Sequence, residues 1–311
     1  MRIFALLCLF RGISPNGERL IIDTIKLIQV KVLPFKIPKP EHHALVYQED
    51  CELVFYDKFH QHEEIQVSFI KEGEGTLIVG DTVNYYEKGD VLVVGSNLPH
   101  VFKSEISNNR KSHMLTLFFT KNAFGDNFFD LEELKELNSF FKSTENGFKI
   151  SANTKLVDFF LELKLSTKLQ RFIILLEILK LLSRIKKKPL SSFIYEKQYT
   201  DIEGKRMSSV MEYTMNNYNN NISLDTIATV AAMTKNAFCK YFKKRTNKTY
   251  FRFLNELRVE NASKLLLINN DFSIAEIADK SGFNNISNFN RQFKSVKQIA
   301  PSEYRKAKRI S

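Results

Sequence analysis

The last third of the chain contains an internal repeat, which constrains the fold more than any other feature of the sequence. The pairs Ile227-Ala228 and Phe242-Lys243 recur as Ile277-Ala278 and Phe293-Lys294, with an offset of 50 residues at first and 51 after the turn. Each copy has the apolar spacing of a helix, then a short turn, then a second helix. A helix-turn-helix unit that occurs twice predicts an all-α domain with two such motifs.

Capping residues indicate where the helices of each motif begin and end. In the second copy, Ser273 and Glu276 have the spacing of a capping box, and Asn285 is suited to cap the following helix. Gly282 lies at the turn, where a residue in the left-handed conformation ends a helix. The first copy has corresponding caps and has Ala232 in place of the glycine.

The second helix of each motif has an apolar face and a polar face. Phe238 and Phe242 lie one turn apart, as do Phe289 and Phe293, so these rings are predicted to pack inward. Asn, Arg and Lys match base edges in the major groove, and Ile can contact a thymine methyl group. The residues predicted to contact DNA are Lys235, Asn236, Cys239, Lys240 and Lys243 in the first motif and Ile286, Ser287, Asn288, Asn290, Arg291 and Lys294 in the second.

The alternative to DNA binding is a helical bundle with an ordinary polar surface, and the distribution of charge disfavours it. The chain has 46 Lys and Arg residues and 35 Asp and Glu residues, which gives a net charge of +11. Residues 201–311 hold 19 of the Lys and Arg residues and only 10 of the Asp and Glu residues. A basic module joined to a nearly neutral one is typical of proteins that bind polyanions.

Several of these runs resemble a known family. Ile274–Ala278, Gly282-Phe283, Asn288–Lys294 and Ala300–Lys306 closely resemble the second half of the DNA-binding domain of the AraC/XylS transcription regulators. Phe251–Ala262 resembles the long helix that joins the two motifs of that domain. The resemblance implies an all-α domain whose two recognition helices enter successive major-groove segments on one face of the DNA.

Residues 45–120 have a different period, because apolar and polar residues alternate there. The run Thr76–Val79 leads into Gly80-Asp81, which is typical of a two-residue hairpin, and Asp90–Val94 and Leu115–Phe119 read as further strands. Many short strands at this spacing predict a small antiparallel barrel. The predicted fold class is therefore α+β, with a β-barrel and flanking helices ahead of the helical domain.

The stretch between His60 and His100 resembles a cupin sensor barrel. In metal-binding cupins a glutamate stands at the position of Gln66 and completes a site of three histidines and one carboxylate. Because Gln66 is neutral, we expect neither a metal nor another cofactor, and we predict that His60, His62, Gln66 and His100 line an effector pocket. Whether this polar strand face or the apolar face that begins at Ile65 is the interior stays open.

The apolar spacing becomes helical after residue 128. Leu131, Leu134 and Leu137 mark one helix, Val157 and its neighbours mark a second, and a third near Gln170–Ile185 is apolar almost all round. A helix of that kind lies in a core or in a subunit contact, so we expect a homodimer formed through this helix or through the barrel. The predicted domains are an N-terminal extension at 1–30, a cupin-like barrel at 31–120, a helical dimerisation and linker region at 121–203, whose linker begins at 188, and a DNA-binding domain at 204–311.

The first thirty residues and the cysteine content bear on location. An apolar run of eight residues that Arg11 interrupts is too short for a typical signal peptide, and Val30 is an alternative start. The 3 cysteines are too few and too far apart for a disulfide framework, which favours a reducing compartment. No apolar run approaches the ~20 residues of a membrane span. We therefore predict a cytoplasmic protein without a membrane partner.

Together these features predict a transcription regulator that is not an enzyme. Its expected partners are double-stranded DNA, RNA polymerase, a small-molecule effector and a second copy of itself. A cupin metalloenzyme with an appended nucleic-acid-binding domain is the alternative. A bare architectural DNA-binding protein is disfavoured, because the barrel and its helices occupy about two thirds of the chain.

Overall fold

A computed structural model describes residues 43–106, 110–194, 200–268 and 271–307. The predicted N-terminal extension lies outside these residues. The described part contains a β-barrel, a group of helices that follows it, and a helical C-terminal domain. The strands are β1 (Leu45–Glu52), β2 (Ile65–Glu72), β3 (Gly75–Val79), β4 (Thr82–Tyr86), β5 (Asp90–Val94), β6 (His100–Ser104), β7 (Ser112–Phe119), β8 (Phe148–Ser151) and β9 (Lys188–Pro189).

The barrel consists of two antiparallel sheets, which confirms the predicted cupin-like architecture. The larger sheet has the strand order β1-β7-β2-β5-β8-β9, and the smaller has the order β4-β3-β6. The hairpin predicted at Gly80-Asp81 joins β3 to β4, where Val79 pairs with Thr82 and Gly80 has a φ of 57°. Glycine suits this turn because it adopts positive φ without a steric cost.

Both faces of the larger sheet are covered, and this resolves which face of β2 is interior. The side chains that alternate from Ile65 through Val67 and Phe69 pack outward against the flanking helices. The other face of the sheet contributes Ile70, Leu92 and Met114 to the core between the two sheets. The polar residues of β2 therefore lie inside the barrel, and its apolar outer face is buried under helices.

The flanking helices are α1 (Asn138–Thr144), α2 (Thr154–Glu162) and α3 (Lys168–Arg184). The first predicted helix was wrong in type, because Glu132–Leu137 forms a 3₁₀ helix that leads into α1. Leucines exactly three residues apart match the three-residue turn of that helix. Thr167 and Gln170 form a capping box that begins α3. The five buried side chains of α3 face α1, α2 and the sheet.

The predicted linker begins too early in the chain. Lys188 and Pro189 form β9, which pairs with β8, and Leu190 is completely buried in the barrel core. The carbonyl oxygen of Leu190 accepts a hydrogen bond of 2.8 Å from the side chain of Asn84. The buried Leu190 side chain therefore keeps residues 188–190 in the barrel. The C-terminal domain begins further along the chain, with a capping box at Thr200.

The C-terminal domain is helical, as predicted, and has two separate cores. One core joins the first motif to the N-terminal half of α7, and the other joins the second motif to the C-terminal half of α7. No helix among the described residues has both the length and the apolarity that crossing a bilayer requires. The helices are α4 (Asp201–Asn217), α5 (Leu224–Val230), α6 (Lys235–Thr246), α7 (Tyr250–Ile268), α8 (Ile274–Lys280), α9 (Ile286–Lys297) and α10 (Pro301–Ala307).

Candidate nucleic-acid interface and barrel cavity

The two helix-turn-helix motifs have the same local hydrogen bonds. The Met233 N–H donates to the carbonyl oxygen of Ala228 at 2.9 Å, and Phe283 N–H donates to Ala278 at 2.9 Å. The residue before each of these donors has positive φ, 50° at Ala232 and 86° at Gly282. These bonds close the turn between the two helices, so the sequence repeat is also a structural repeat.

A glycine is needed in only one of the two turns. An added Cβ at Gly282 would lie 2.6 Å from the backbone oxygen of Tyr218. Arg258 of α7 donates to the same oxygen at 2.7 Å, so the Tyr218 backbone is held in place. Close approach of this backbone to the second turn therefore excludes a side chain at 282, in addition to the conformational cost of positive φ.

The predicted caps begin both recognition helices. The Thr234 hydroxyl accepts a hydrogen bond of 3.4 Å from Ala237 N–H at the start of α6. The Asn285 side-chain oxygen accepts bonds of 2.8 Å from Ser287 N–H and 3.1 Å from Asn288 N–H at the start of α9. These bonds satisfy donors that have no partner within the helix.

Each recognition helix packs on an aromatic pair, and the predicted DNA-contacting side chains lie on the rest of its surface. Phe238, Phe242, Phe289 and Phe293 are completely buried, as their spacing predicts. All the predicted DNA-contacting residues are exposed except Asn288, which is half-buried. The half-buried Asn288 has a structural role, because its side-chain oxygen accepts a hydrogen bond of 3.0 Å from Arg291.

The repeat also aligns individual side chains of the two recognition helices. With the offset of 51 residues, Lys240 corresponds to Arg291 and Lys243 corresponds to Lys294. At 100° per residue, Lys240 and Arg291 lie about 180° from the middle of the buried aromatic pair of their helix, and Lys243 and Lys294 lie about 120° from it. Each motif therefore presents this pair of cations on the half of the helix surface away from its aromatic pair.

The barrel contains a cavity of about 240 Å³ between its two sheets. Its wall is partly aromatic, with Phe102 and Phe118, and partly polar, with His60, Gln66 and His100. His62 lies behind this wall, where its ring contacts both His100 and Phe118. Three of the four residues predicted for the effector pocket thus line one cavity, and the fourth packs directly against it.

The sequence prediction missed the acidic side of this cavity. Asp50 and Glu52 of β1 line it together with Gln48. Burial raises the pKa of the Asp50 carboxyl group. The sequence of β1 does not indicate that its acidic residues line the same cavity as the histidines. Their position depends on how β1 pairs with β7.

His60 and His100 share one tautomer, and their backbone contacts determine it. Nδ1 lies 2.7 Å from the Lys58 carbonyl oxygen in His60, and 2.9 Å from that of Leu98 in His100. Nδ1 of His62 has the same contact, at 2.9 Å, with the Glu64 carbonyl. A carbonyl oxygen can only accept, so Nδ1 of His60 and of His100 carries the proton, and Nε2 of each of these two rings presents a lone pair.

Burial also keeps two of these rings neutral. Loss of solvation lowers the pKa of His60 to about 3 and lowers that of the fully buried His100 well below its usual value. Nε2 of His100 is buried without a hydrogen-bond partner among the described residues. The cavity therefore offers an unsatisfied acceptor, which a hydroxyl or amino group or a metal ion would satisfy.

The donor set fits a divalent transition metal in part. One ligand atom from each of His60, His62 and His100 lies within 4.8 Å of the others. Backbone carbonyls that orient the rings through Nδ1 are the usual outer contacts of metal-binding histidines. A metal held by these three residues would supply Lewis-acid chemistry, and the neutral Gln66 amide would not supply the carboxylate that completes such a site in metal-binding cupins.

Gln66 belongs to a polar chain that continues away from the histidines. Its amide lies 3.3 Å from His62 Nε2 and 2.9 Å from the Ser68 hydroxyl. The Ser68 hydroxyl in turn lies 2.9 Å from that of Thr116 on β7. The Gln66 side-chain nitrogen donates to Ser68, so Gln66 is held by a buried chain of hydroxyl groups, and its side-chain oxygen faces His62.

Comparison with known proteins agrees with both halves of the chain. A family model described as a helix-turn-helix domain matches residues 227–307, and one described as a cupin domain matches residues 55–111. The chain is 35% identical over 100 residues to an uncharacterised helix-turn-helix transcriptional regulator of Pseudoalteromonas carrageenovora. That alignment covers 32% of this chain and 58% of the regulator, and the chain spans smaller shares of several other curated relatives.

The transposon Tn10 TetD protein of Escherichia coli is 31% identical over 102 residues, which cover 33% of this chain and 73% of that protein. The solved structure of ToxT from Vibrio cholerae is 13% identical, with a TM-score of 0.34 over 84% of this chain and 97% of that one. The two family matches place a helix-turn-helix domain after a cupin domain in this chain. The chain belongs to the AraC/XylS family of transcription regulators.

Proposed function

We propose that this protein is a sequence-specific DNA-binding transcription regulator that reads two adjacent major-groove segments with α6 and α9. The observation that carries the proposal is the pair of recognition helices, each with a buried aromatic pair and an exposed polar and basic face. Such a protein performs no chemistry of its own and acts through contacts to DNA and RNA polymerase. Its proposed location is the cytoplasm, and its proposed DNA-binding domain begins at the Thr200 cap of α4, ahead of the predicted boundary at 204.

The two cations on each outward face have different proposed roles. Arg291 and Lys240 lie in the first turns after the caps, together with Asn288 and Asn236, where a docked helix reaches base edges. Lys294 and Lys243 lie one turn further along and contact phosphate. The bond between Arg291 and the Asn288 side chain orients the guanidinium group before DNA arrives.

The proposed effector is a small polar molecule bound in the barrel cavity. At about 240 Å³ the cavity is smaller than typical drug-sized sites, which measure roughly 300–1,000 Å³. Nε2 of His100 is a buried acceptor without a hydrogen-bond partner among the described residues, so a ligand with a hydroxyl or amino group satisfies it best. The carboxyl group of Asp50 adds a further group that such donors can reach.

We also propose a homodimer, which the exposed side of α3 supports. Leu169 is 68% exposed and Ile173 is 52% exposed, and these residues lie one turn apart on the same helix face. Burial of two such pairs in a symmetric contact would remove apolar surface from water. Light scattering at micromolar concentration should show a dimer. A monomer both with and without DNA would contradict this proposal.

Selection of DNA duplexes from a random pool tests the proposed function directly. The full chain should enrich two short sequence elements on one face of the duplex, spaced by about one helical turn. A variant that carries Lys240→Ala and Arg291→Ala is the matched control, because it keeps both buried aromatic pairs. Recovery of unenriched DNA by the wild-type protein would contradict sequence-specific recognition.

A cupin metalloenzyme is the second candidate function, and the three convergent histidines favour it. The neutral Gln66 in place of a carboxylate is the observation against it. Metal content of the purified protein distinguishes the two, since an enzyme of this type holds about one metal ion per chain. A His62→Ala variant should lose any such metal, and a metal-free wild-type protein that still selects DNA rules the enzyme out.

A further inference from the structure

Strand β6 has one face towards the cavity and the other towards the DNA-binding domain. His100 and Phe102 line the cavity. Between them, Val101 packs in the core that contains α4 and the first motif. Lys103 also points away from the cavity and donates a hydrogen bond of 3.0 Å to the Asn216 side chain at the end of α4. A single strand therefore separates the cavity from helix α4.

The segment that pairs with β6 has the same arrangement. His60 reaches the cavity wall, and its backbone exchanges two hydrogen bonds with His100, of 3.0 and 2.8 Å. The preceding residue, Phe59, packs in the core of the first motif. Lys58 forms an ion pair of 2.5 Å with Glu212 of α4. Two adjacent backbone segments thus place cavity residues directly next to residues that contact α4.

The long helix α7, which joins the two motifs, is attached to the barrel near both ends. Lys264 is only 9% exposed, and its ammonium group contacts the Glu105 carboxylate just after β6. The same group donates a 3.0 Å hydrogen bond to Thr76 of β3 and lies 4.6 Å from the centre of the Tyr85 ring. The second motif therefore continues from a part of α7 that the barrel holds in place.

The other attachment lies immediately after the first recognition helix. Lys248 donates a 2.8 Å hydrogen bond to the backbone oxygen of Asp81, in the hairpin between β3 and β4. The Asp81 carboxylate is itself completely buried and accepts hydrogen bonds from Ser191 at 3.0 Å and from the Ser192 N–H at 2.9 Å. The barrel hairpin, the segment after β9 and the end of the first motif therefore meet at Asp81.

We propose that β6 and residues 58–60 couple occupancy of the barrel cavity to DNA binding, with the contacts of Lys264 and Lys248 as the connection to α7. A ligand that displaces His100 or Phe102 also displaces Val101, Lys103 and Glu105, because the packed strand transmits the movement. These residues position α4 and α7, which carry both motifs. The inference rests on the proposed function, since it requires DNA binding as its output.

A double-mutant cycle on the full chain tests this coupling without knowledge of the effector. Phe102→Leu alters the cavity wall, and the pair Lys264→Met with Glu105→Gln removes the contact to α7 while keeping the net charge unchanged. The dissociation constant for a selected duplex is measured for wild type, for each variant and for their combination. Phe102→Leu should change the constant by about 5-fold or more in the wild type, the lower range of allosteric couplings, and have little effect once the contact is removed.

The control is an ion pair on the barrel surface with the same chemistry. Lys88→Met with Glu72→Gln removes an exposed pair of 2.6 Å, and the effect of Phe102→Leu should persist in that background. His100→Asn provides a second cavity variant if Phe102→Leu does not fold, as judged by thermal melting. Hydrogen exchange at the α7 amides should rise when the Lys264 contact is removed, which provides a readout that does not need DNA.

The outcomes separate the coupling from the proposed function. Equal changes in dissociation constant with and without the Lys264 contact would overturn the coupling, and so would the absence of any change from both cavity variants. In either case the selected duplex still binds wild-type protein, so the proposed function stands. If the wild-type protein selects no duplex, that result contradicts both the proposed function and this inference.

Discussion

In the barrel the polar candidate residues are buried, whereas in the helical domain they are exposed. His62, Gln66 and His100 are buried among strands, and each has a specific hydrogen-bond partner. Lys240 and Arg291 point away from the protein, and the buried aromatic pairs lie on the opposite side of their helices. The barrel residues are therefore part of the fold, while those of the recognition helices can change with little effect on it.

The barrel and the helical domain also differ in their response to acid, because their histidine content differs. All 6 histidines lie between residues 42 and 113, and the helical domain has none. Desolvation keeps His60 and His100 neutral in the folded state, whereas the unfolded chain binds protons at these residues near pH 6.5. Acid should therefore act on the barrel through its histidines and leave the recognition helices without an equivalent group.

The largest expected effect is the loss of stability in acid. Because the folded pKa values are lowered, the unfolded state binds more protons below about pH 6.5, so the free energy of unfolding falls as the pH falls. Each such histidine contributes about 1.4 kcal/mol per pH unit, and this continues until the folded form also titrates, which for His60 is at about pH 3. Urea unfolding at pH 7, 6 and 5 should show a smaller slope for His100→Gln than for wild type. An unchanged slope would contradict the assignment of His100 as a buried neutral group.

The next effect tests whether the exposed face of α9 reads bases. Arg291→Ala should weaken binding to a selected site by roughly 5- to 150-fold, which corresponds to the ~1–3 kcal/mol of a bidentate base contact. Binding to scrambled DNA should change much less, and the free energy of unfolding should stay nearly constant. An equal loss on both sequences would show that Arg291 contacts only the backbone.

Removal of a helix cap should have an intermediate effect on stability alone. Asn285→Ala removes the acceptor for two backbone N–H groups of α9 and should lower the free energy of unfolding by about 0.5–2 kcal/mol. Asn284→Ala makes the same chemical change at the exposed neighbouring residue and serves as the control. Equal melting temperatures for the two variants would mean that the cap contributes nothing. Neither variant should alter the acid dependence, which arises in the barrel.

The smallest effect is expected at the phosphate contacts. Lys294→Ala should reduce affinity for all duplex sequences to a similar extent and lower the slope of log affinity against log salt by about one unit. Lys243→Ala should do the same through the first motif. A change in sequence preference with an unchanged salt slope would instead place Lys294 among the base-reading residues.

The sequence predicts the helical domain closely because its signals are local. A capping box, a turn glycine and an aromatic pair one turn apart all act within a few residues, and the structure places each where expected. The leucines at 131–137 were misread because a spacing of three fits both an α-helix face and a 3₁₀ helix. Only the packing of Leu137 beside α1 decides between them.

The barrel cavity is less predictable because contacts distant in sequence create it. The alternation of β2 shows two faces, but only the helices that cover Ile65 and Val67 determine which face is interior. Asp50 reaches the cavity through the pairing of β1 with β7, and Leu190 returns to the core from the predicted linker. The attachment of Lys264 to Glu105 joins residues 159 positions apart, so no local pattern indicates it.

The paired phenylalanines of the two recognition helices have an evolutionary consequence. Phe238 and Phe242, like Phe289 and Phe293, hold each helix through completely buried side chains. Substitutions at the exposed residues of these helices usually change stability by no more than about 0.5 kcal/mol. The proposed sequence preference can therefore diverge between descendants of this gene, one outward residue at a time, without an intermediate that fails to fold.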